Sequence, residues 1–189
     1  GVIVDDALDQ LIPNEKKFRD GVYSSADYII PEEVSELWLL GDATYGEGNS
    51  GNNTLGRHPN SFYGHSGSGL NVTLAGGMGD DIYHYRIGDT LIENPDQGID
   101  TANIYLGWKD FADVSSMPNI EHFVLVDSGP HSHWGGTFIA NNDDNTILGT
   151  TDGEIIAGSG GNDLIDGGGG QDTFLFAVGD GMDTIVRYG

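Results

Sequence analysis

A chain of 189 residues with 30 acidic and only 7 basic side chains, net charge −23, has no basic face to offer nucleic acid or an anionic membrane. Its 37% hydrophobic and 10% aromatic content is too high for a solvated acidic tail, and the absence of cysteine excludes disulfides, zinc–thiolate centres and thiol nucleophiles. The 31 glycines, dense beside Asp and Asn, point to many tight turns, and no apolar run reaches the ~18 residues of a membrane span.

In chain order, residues 1–19 read as the end of a preceding repeat unit, because Asp9-Gln10-Leu11-Ile12 resembles Asp89-Thr90-Leu91-Ile92. The start at Gly1, without Met or a leader, fits a segment of something longer. A first unit covers 20–99 and a second covers 100–189. Asp20-Gly21-Val22-Tyr23 reappears at Asp100-Thr101-Ala102-Asn103, and Asp183-Thr184-Ile185 marks the same point once more. Longer strands are expected at 22–30, 36–40, 102–106 and 121–126, with a turn of helix opened by Pro31-Glu32-Glu33 as the alternative before Glu36.

The second unit contains a shorter period. Four nonapeptides run without a gap over 140–175, beginning at Ala140, Gly149, Gly158 and Gly167. Each has a polar residue at its sixth position (Asn145, Glu154, Asp163, Asp172) and a large apolar one at its eighth (Ile147, Ile156, Ile165, Phe174). The first unit is looser. Gly48 to Leu55 and Gly76 to Tyr83 fit, with Asn53 and Asp81 at the sixth position.

Nine residues suffice for one turn and one short strand, and two such pieces close one coil of a flattened solenoid. Coils then stack about 4.8 Å apart, so turns on one edge are 18 residues apart. Glycine lets a turn aim several carbonyls at one point. Calcium takes six to eight oxygens, which two stacked turns can supply as carbonyls and carboxylates. The eighth residue points inward to a narrow core.

Gly158-Ser159-Gly160-Gly161-Asn162-Asp163-Leu164-Ile165-Asp166 and Gly167-Gly168-Gly169-Gly170-Gln171-Asp172-Thr173-Phe174-Leu175 resemble the hemolysin-type, repeat-in-toxin (RTX) calcium-binding repeat. The resemblance implies an all-β, right-handed parallel β-roll or β-helix with calcium-binding glycine-rich turns in two tandem units. It implies one site from Asn141, Asp143 and Asn145 with Gly158, Gly160 and Asp163. A second would use Thr150, Asp152 and Glu154 with Gly167, Gly169 and Asp172. Asn145 and Glu154 depart from the family's Asp, so either site is expected to be weakened. In the first unit the spacing stacks Asn53 on Asn71, without a carboxylate, and Asp81 on a turn around Phe62; poor binding is expected there.

Such a module folds when Ca2+ binds and belongs to a secreted, extracellular bacterial protein exported by a type I system. Its expected partners are calcium and neighbouring repeat units. No catalytic motif such as H-E-x-x-H or G-x-S-x-G is present, so the chain is expected not to be an enzyme. Two alternatives stay open: a glycan- or cell-surface-binding module using the 57–63 and 128–136 loops, the latter containing His131-Ser132-His133-Trp134, or an accessory module of a polysaccharide-modifying enzyme. The two loop histidines alternate as metal ligands can, but read more simply as an exposed insertion.

Overall fold

The structure, a computed structural model, describes residues 2–4, 21–57, 71–107, 109–127 and 134–186. Within them there are only short strands, turns and bends, so the all-β expectation holds and the helical alternative at Pro31 does not. There the Val34 amide donates to the Pro31 carbonyl in a single turn before the strand at Glu36. The expected end of a preceding unit at 1–19, apart from residues 2–4, lies outside the described residues, as does most of the 57–63 loop. His131, Ser132 and His133 lie outside them as well. The chain divides into two compact units: Gly1–His84 with Gly88–Gly98, and Tyr85–Ile87 with Ile99–Gly189.

The first unit contains β1 (Val2–Val4), β2 (Val22–Ser24), β3 (Tyr28–Ile29), β4 (Glu36–Leu39), β5 (Tyr45–Glu47), β6 (Thr54–Arg57), β7 (Thr73–Ala75), β8 (Ile82–Tyr85) and β9 (Thr90–Ile92). They alternate between two parallel ladders, β1-β2-β4-β6-β8 and β3-β5-β7-β9. Successive coils place Val22, Leu37, Leu55 and Tyr83 side by side, each at most 1% exposed. Burying one such side chain stabilises the fold by roughly 1.5–3 kcal/mol. Gly46 lies in the opposite wall because a Cβ there would meet Leu37 Cδ2 at 2.9 Å.

The second unit contains β10 (Thr101–Leu106), β11 (Phe111–Asp113), β12 (His122–Asp127), β13 (Trp134–Ile139), β14 (Thr146–Leu148), β15 (Gly153–Ala157), β16 (Leu164–Asp166), β17 (Thr173–Leu175) and β18 (Thr184–Val186). Again all pairing is parallel, in the ladders β10-β12-β14-β16-β18 and β11-β13-β15-β17. Each eighth-position residue lies within a strand, and Ile147, Ile165 and Phe174 are the centres of theirs. Ile147 lies beside Ile165 and Ile156 beside Phe174, which is the expected 18-residue register. Ile147, Ile156 and Ile165 are buried, and the Phe123 and Phe138 rings meet across the interior at 5.2 Å. Phe174 departs from the expectation of a filled core. It is only partly buried, and Leu175, Phe176 and Met182 after it are exposed, because no described strand lies beyond β17 in its sheet.

Candidate metal centre

A parallel ladder satisfies the backbone of its strands but leaves the turns to find other partners. In the second unit the sixth residues of the last two nonapeptides meet that need. Asp163 Oδ1 accepts the Asn145 amide at 2.8 Å, and Asp172 Oδ1 accepts the Glu154 amide at 3.0 Å, each across 18 residues. Asp183 Oδ1 continues the series by accepting the Asp163 amide at 3.0 Å. At these three positions a carboxylate ties the coil to the one before it.

The second carboxylate oxygen has a different environment. Asp163 Oδ2 lies over Gly158, Asp172 Oδ2 over Gly167 and Asp81 Oδ2 over Gly76, in space that a Cβ would occupy. This is why a glycine opens the repeat when an acid stands sixth: the side chain folds back over it. Among the described residues nothing hydrogen-bonds to Asp163 Oδ2 or to Asn145 Oδ1, although both residues are 2% exposed. A buried acceptor left without a donor costs about 1–3 kcal/mol. Burial pushes the Asp163 carboxyl up to about 6, helped by the nearby charges of Asp183 and Asp144. Asp172 is raised as well, first by burial and further by Asp166.

The structure brings together the turns from which the first ligand set was drawn. Asn162 donates its amide to Asp144 Oδ1 at 2.7 Å, Gly160 to Asn142 Oδ1 at 3.2 Å, and the Ser159 hydroxyl to the Ala140 carbonyl at 3.0 Å. Asn141 and Asp143 lie in the upper turn, Gly158 and Gly160 in the lower. The side chain of Asn141 has a task that sequence did not reveal. Its Nδ2 holds the carbonyls of Met117 and Ile120 at 3.0 Å each, while its Oδ1 accepts the Asp143 amide. Asn49 does the same in the first unit, holding Pro31 and Val34 and accepting the Gly51 amide. The signal was present: an asparagine second in the turn, four residues before the sixth-position Asn53 or Asn145.

The second ligand set is also stacked, with modifications. The Thr150 carbonyl already accepts the Gly169 amide at 2.8 Å, leaving one lone pair, and Gly170 lies against the Asp152 carbonyl. Glu154, the longer departure from Asp, turns back on its own turn, taking hydrogen bonds from the Thr150 hydroxyl and amide. Burial raises its pKa; the Thr150 hydrogen bonds partly offset this, and the charges of Asp172 and Asp152 add to it. Gly167 and Gly169 line the lower turn with Asp172.

The first unit requires a correction. Asn53 does not stack on Asn71. Its amide donates to Asp81 Oδ1 at 2.6 Å, across 28 residues, and Thr54 pairs with Ile82. The step from Thr54 to Ile82 is 28 residues, so counting by 18 selects the wrong partner. Val72, beside Asn71, belongs to the other ladder, where its amide donates to Asp89 Oδ1 at 2.9 Å. The stack around Phe62 lies outside the described residues. The turn therefore contains a buried carboxylate where none had been expected to pair with Asn53. Asp81 and Glu93, both buried, bring carboxylate oxygens within 4.8 Å of one another, and this acidic pair can hold a metal ion. The Tyr83 hydroxyl donates to Glu93 Oε1 beside them. Glu93 escaped sequence reading, yet it shares the inward face of Leu91, two residues earlier on a period of two. In the second unit Asp100 is likewise buried; its amide donates to Glu121 Oε2 at 2.8 Å and its carbonyl accepts from His122.

A methyl at Gly76 would meet Asp81 Oδ2, Tyr83 Oη and Glu93 Oε1 together. Gly76→Ala is therefore expected to cost about 1–3 kcal/mol by overpacking, measurable as a lowered Tm. An unchanged melting curve would show that these oxygens are not packed over Gly76. No family model matches the chain, and searches of curated proteins and of solved structures found no match.

Proposed function

We propose that this chain is a calcium-binding structural module of the RTX β-roll kind, part of an extracellular bacterial protein, and that it folds when calcium binds. The observation that carries this reading is the pair of buried oxygens, Asn145 Oδ1 and Asp163 Oδ2, without donors on two turns stacked at the 18-residue repeat. A donor set of backbone carbonyls, carboxylates and one amide oxygen is hard and all-oxygen, which suits Ca2+ and not a thiolate- or imidazole-seeking metal. Asn141, Asp143, Asn145, Gly158, Gly160 and Asp163 would hold one ion. Thr150, Asp152, Glu154, Gly167, Gly169 and Asp172 would hold a second, more weakly because Glu154 is engaged by Thr150. The bound metal would supply positive charge between carboxylates that otherwise repel.

Ion binding then becomes folding free energy. With net charge −23, the metal-free chain is opposed by its own repulsion, a state suited to export from a compartment low in free calcium. Outside, abundant calcium would drive folding, and neighbouring repeat units would continue the stack. In this reading the chain has no catalytic role. The test is calorimetric titration with Ca2+ and Mg2+, alongside far-ultraviolet circular dichroism. The expected result is saturable binding of Ca2+ with a gain of β signal, reversed by chelator, and little response to Mg2+. A full β signal in excess chelator with no heat of calcium binding would end the proposal.

A further inference from the structure

An all-parallel sheet normally has both faces covered, and its strands then carry apolar residues on both sides. The shorter ladder of the second unit, β11-β13-β15-β17, has that composition with one face open. Its inward positions are Ala112, Phe138, Ile156 and Phe174. The alternate positions face outward and fall into two rows. Phe111, Thr137, Ile155 and Thr173 make one row, in register across the four strands. Asp113, Ile139, Ala157 and Leu175 make the other. Phe111 is 55% exposed, Ile155 39% and Leu175 45%, so among the described residues no layer is packed over this face. The longer ladder of the same unit differs: its outward positions include Thr101, Asn103, His122 and Asp166, as suits a face turned to water.

What fits the strip follows from its chemistry. It spans three strand steps, about 14 Å, by one two-residue step, about 7 Å. The backbone groups of the ladder are spent on neighbouring strands, so the face offers no hydrogen bonds to an incoming main chain. An extended peptide laid on it would bury unpaired amides, whereas a helix brings its backbone already satisfied. Two to three helical turns of about 5.4 Å match the length, and the apolar stripe of such a helix matches the width. A polysaccharide fits poorly, because Phe111 is the only aromatic ring in the two rows and sugar hydroxyls would lose water against aliphatic side chains. A second copy is opposed by charge, since residues 100–189 hold 14 acidic and two basic side chains. The same charge favours a helix whose outer face is basic. Asp113 stands at the β11 end of the strip, its Oδ1 taking the Ser115 amide at 3.0 Å, where a carboxylate can meet a cation on the helix rim.

We propose that this strip docks a basic amphipathic helix of a partner protein. The helix lays its apolar stripe on Phe111, Ile155 and Leu175 and turns Lys or Arg toward the surrounding acids. So small a footprint gives weak, reversible binding. The strip uses no residue of either proposed ion site, so its failure and that of the calcium reading are separable.

The probe is a fluorescein-labelled peptide of about 14 residues, with Leu at i, i+3, i+4 and i+7 and Lys elsewhere, too short to be stably helical alone. Its anisotropy is read against the full chain in millimolar calcium at physiological ionic strength. Saturable binding with a gain of peptide helix is expected, at least tenfold tighter than for a scrambled peptide of the same composition. Phe111→Ser and Ile155→Ser leave the charge unchanged and should each weaken binding several-fold, together tenfold or more. Leu164→Ser, at a 42% exposed position on the other ladder, should not weaken it. Phe111 lies on an edge strand, and its variant serves alone if the Ile155 variant does not fold. Three results would overturn the proposal: no saturable binding, equal affinity for the scrambled peptide, or binding indifferent to both strip substitutions. Self-association of the chain, or pelleting with cellulose, that these substitutions abolish would give the strip a different occupant and overturn it as well.

Discussion

A chain carrying both Asp163→Ala and Asp172→Ala is expected to lack stable β structure over residues 140–186, even in millimolar calcium. Each of these carboxylates acts twice. One oxygen takes the amide of the preceding coil, from Asn145 or from Glu154. The other lies over the repeat's opening glycine, Gly158 or Gly167. Alanine removes both functions, so each substitution strands a backbone amide at a cost of about 1–3 kcal/mol. Two such losses approach the 5–15 kcal/mol that holds a typical domain together. The double variant also removes both sixth-position aspartates from the proposed ion sites, and with them the folding free energy that calcium would supply. Far-ultraviolet circular dichroism and amide hydrogen exchange report the result. Native spectra and native protection over 140–186 in calcium would contradict the assignment of these turns.

The contrast between the two units shows what periodicity can convey. Over 140–175 the nine-residue count is unbroken, and it gives the inward strand positions at Ile147, Ile156, Ile165 and Phe174 and the stacking of Asn145 on Asp163. Counting works over 140–175 because each step there is 18 residues, so sequence distance maps directly onto register; outside that stretch the steps vary, 21 from Thr101 to His122 and 24 from His122 to Thr146. In the first unit the count is broken. The step from Asn53 to its neighbour is 28 residues, and arithmetic by 18 selects Asn71 on the wrong ladder. An insertion changes coil length without changing local composition, so it is visible only once strand pairs are known.

Side-chain tasks were less readable than backbone register. The spacing names Asn141 as a ligand candidate but does not show that its side chain closes the turns at Met117 and Ile120. Glu154 had been treated as a longer aspartate, but its extra methylene lets it return to Thr150. Glu93 was overlooked because acidic residues are so common in this chain that another carboxylate carries little information. Its inward position follows from strand alternation after Leu91, which is a stronger signal than composition.

The substitution Asp163→Asn is expected to move metal-free stability and calcium affinity in opposite directions. Burial raises the folded-state pKa of Asp163 from 3.8 to about 6, with Asp183 and Asp144 adding to the rise. The folded chain therefore holds a proton there between about pH 4 and pH 6 that the unfolded chain releases. Its contribution to stability is complete below the unfolded value and is lost as pH rises through about 6. Asp172 and Glu154 are shifted in the same direction, so the metal-free second unit is expected to gain stability on mild acidification from pH 7 to pH 4.5. Asp27 and Asp113 are shifted downward, so their contributions are lost only further into acid, below the window. Asparagine keeps an oxygen for the Asn145 amide but carries no charge. At pH 7 without calcium the variant should be more stable than the parent, by up to about 2 kcal/mol, and its stability should vary less across pH 4.5–7. Calcium reverses the preference because it requires the ionised carboxylate. Parent affinity should fall as pH drops through about 6, by up to tenfold per unit, while the variant should bind at least tenfold more weakly at pH 7. Denaturant unfolding in chelator and calcium titration at matched pH test both halves. If the variant bound calcium like the parent, Asp163 would not be a ligand; if it were destabilised in chelator at pH 7, its buried charge would not be the cost inferred here.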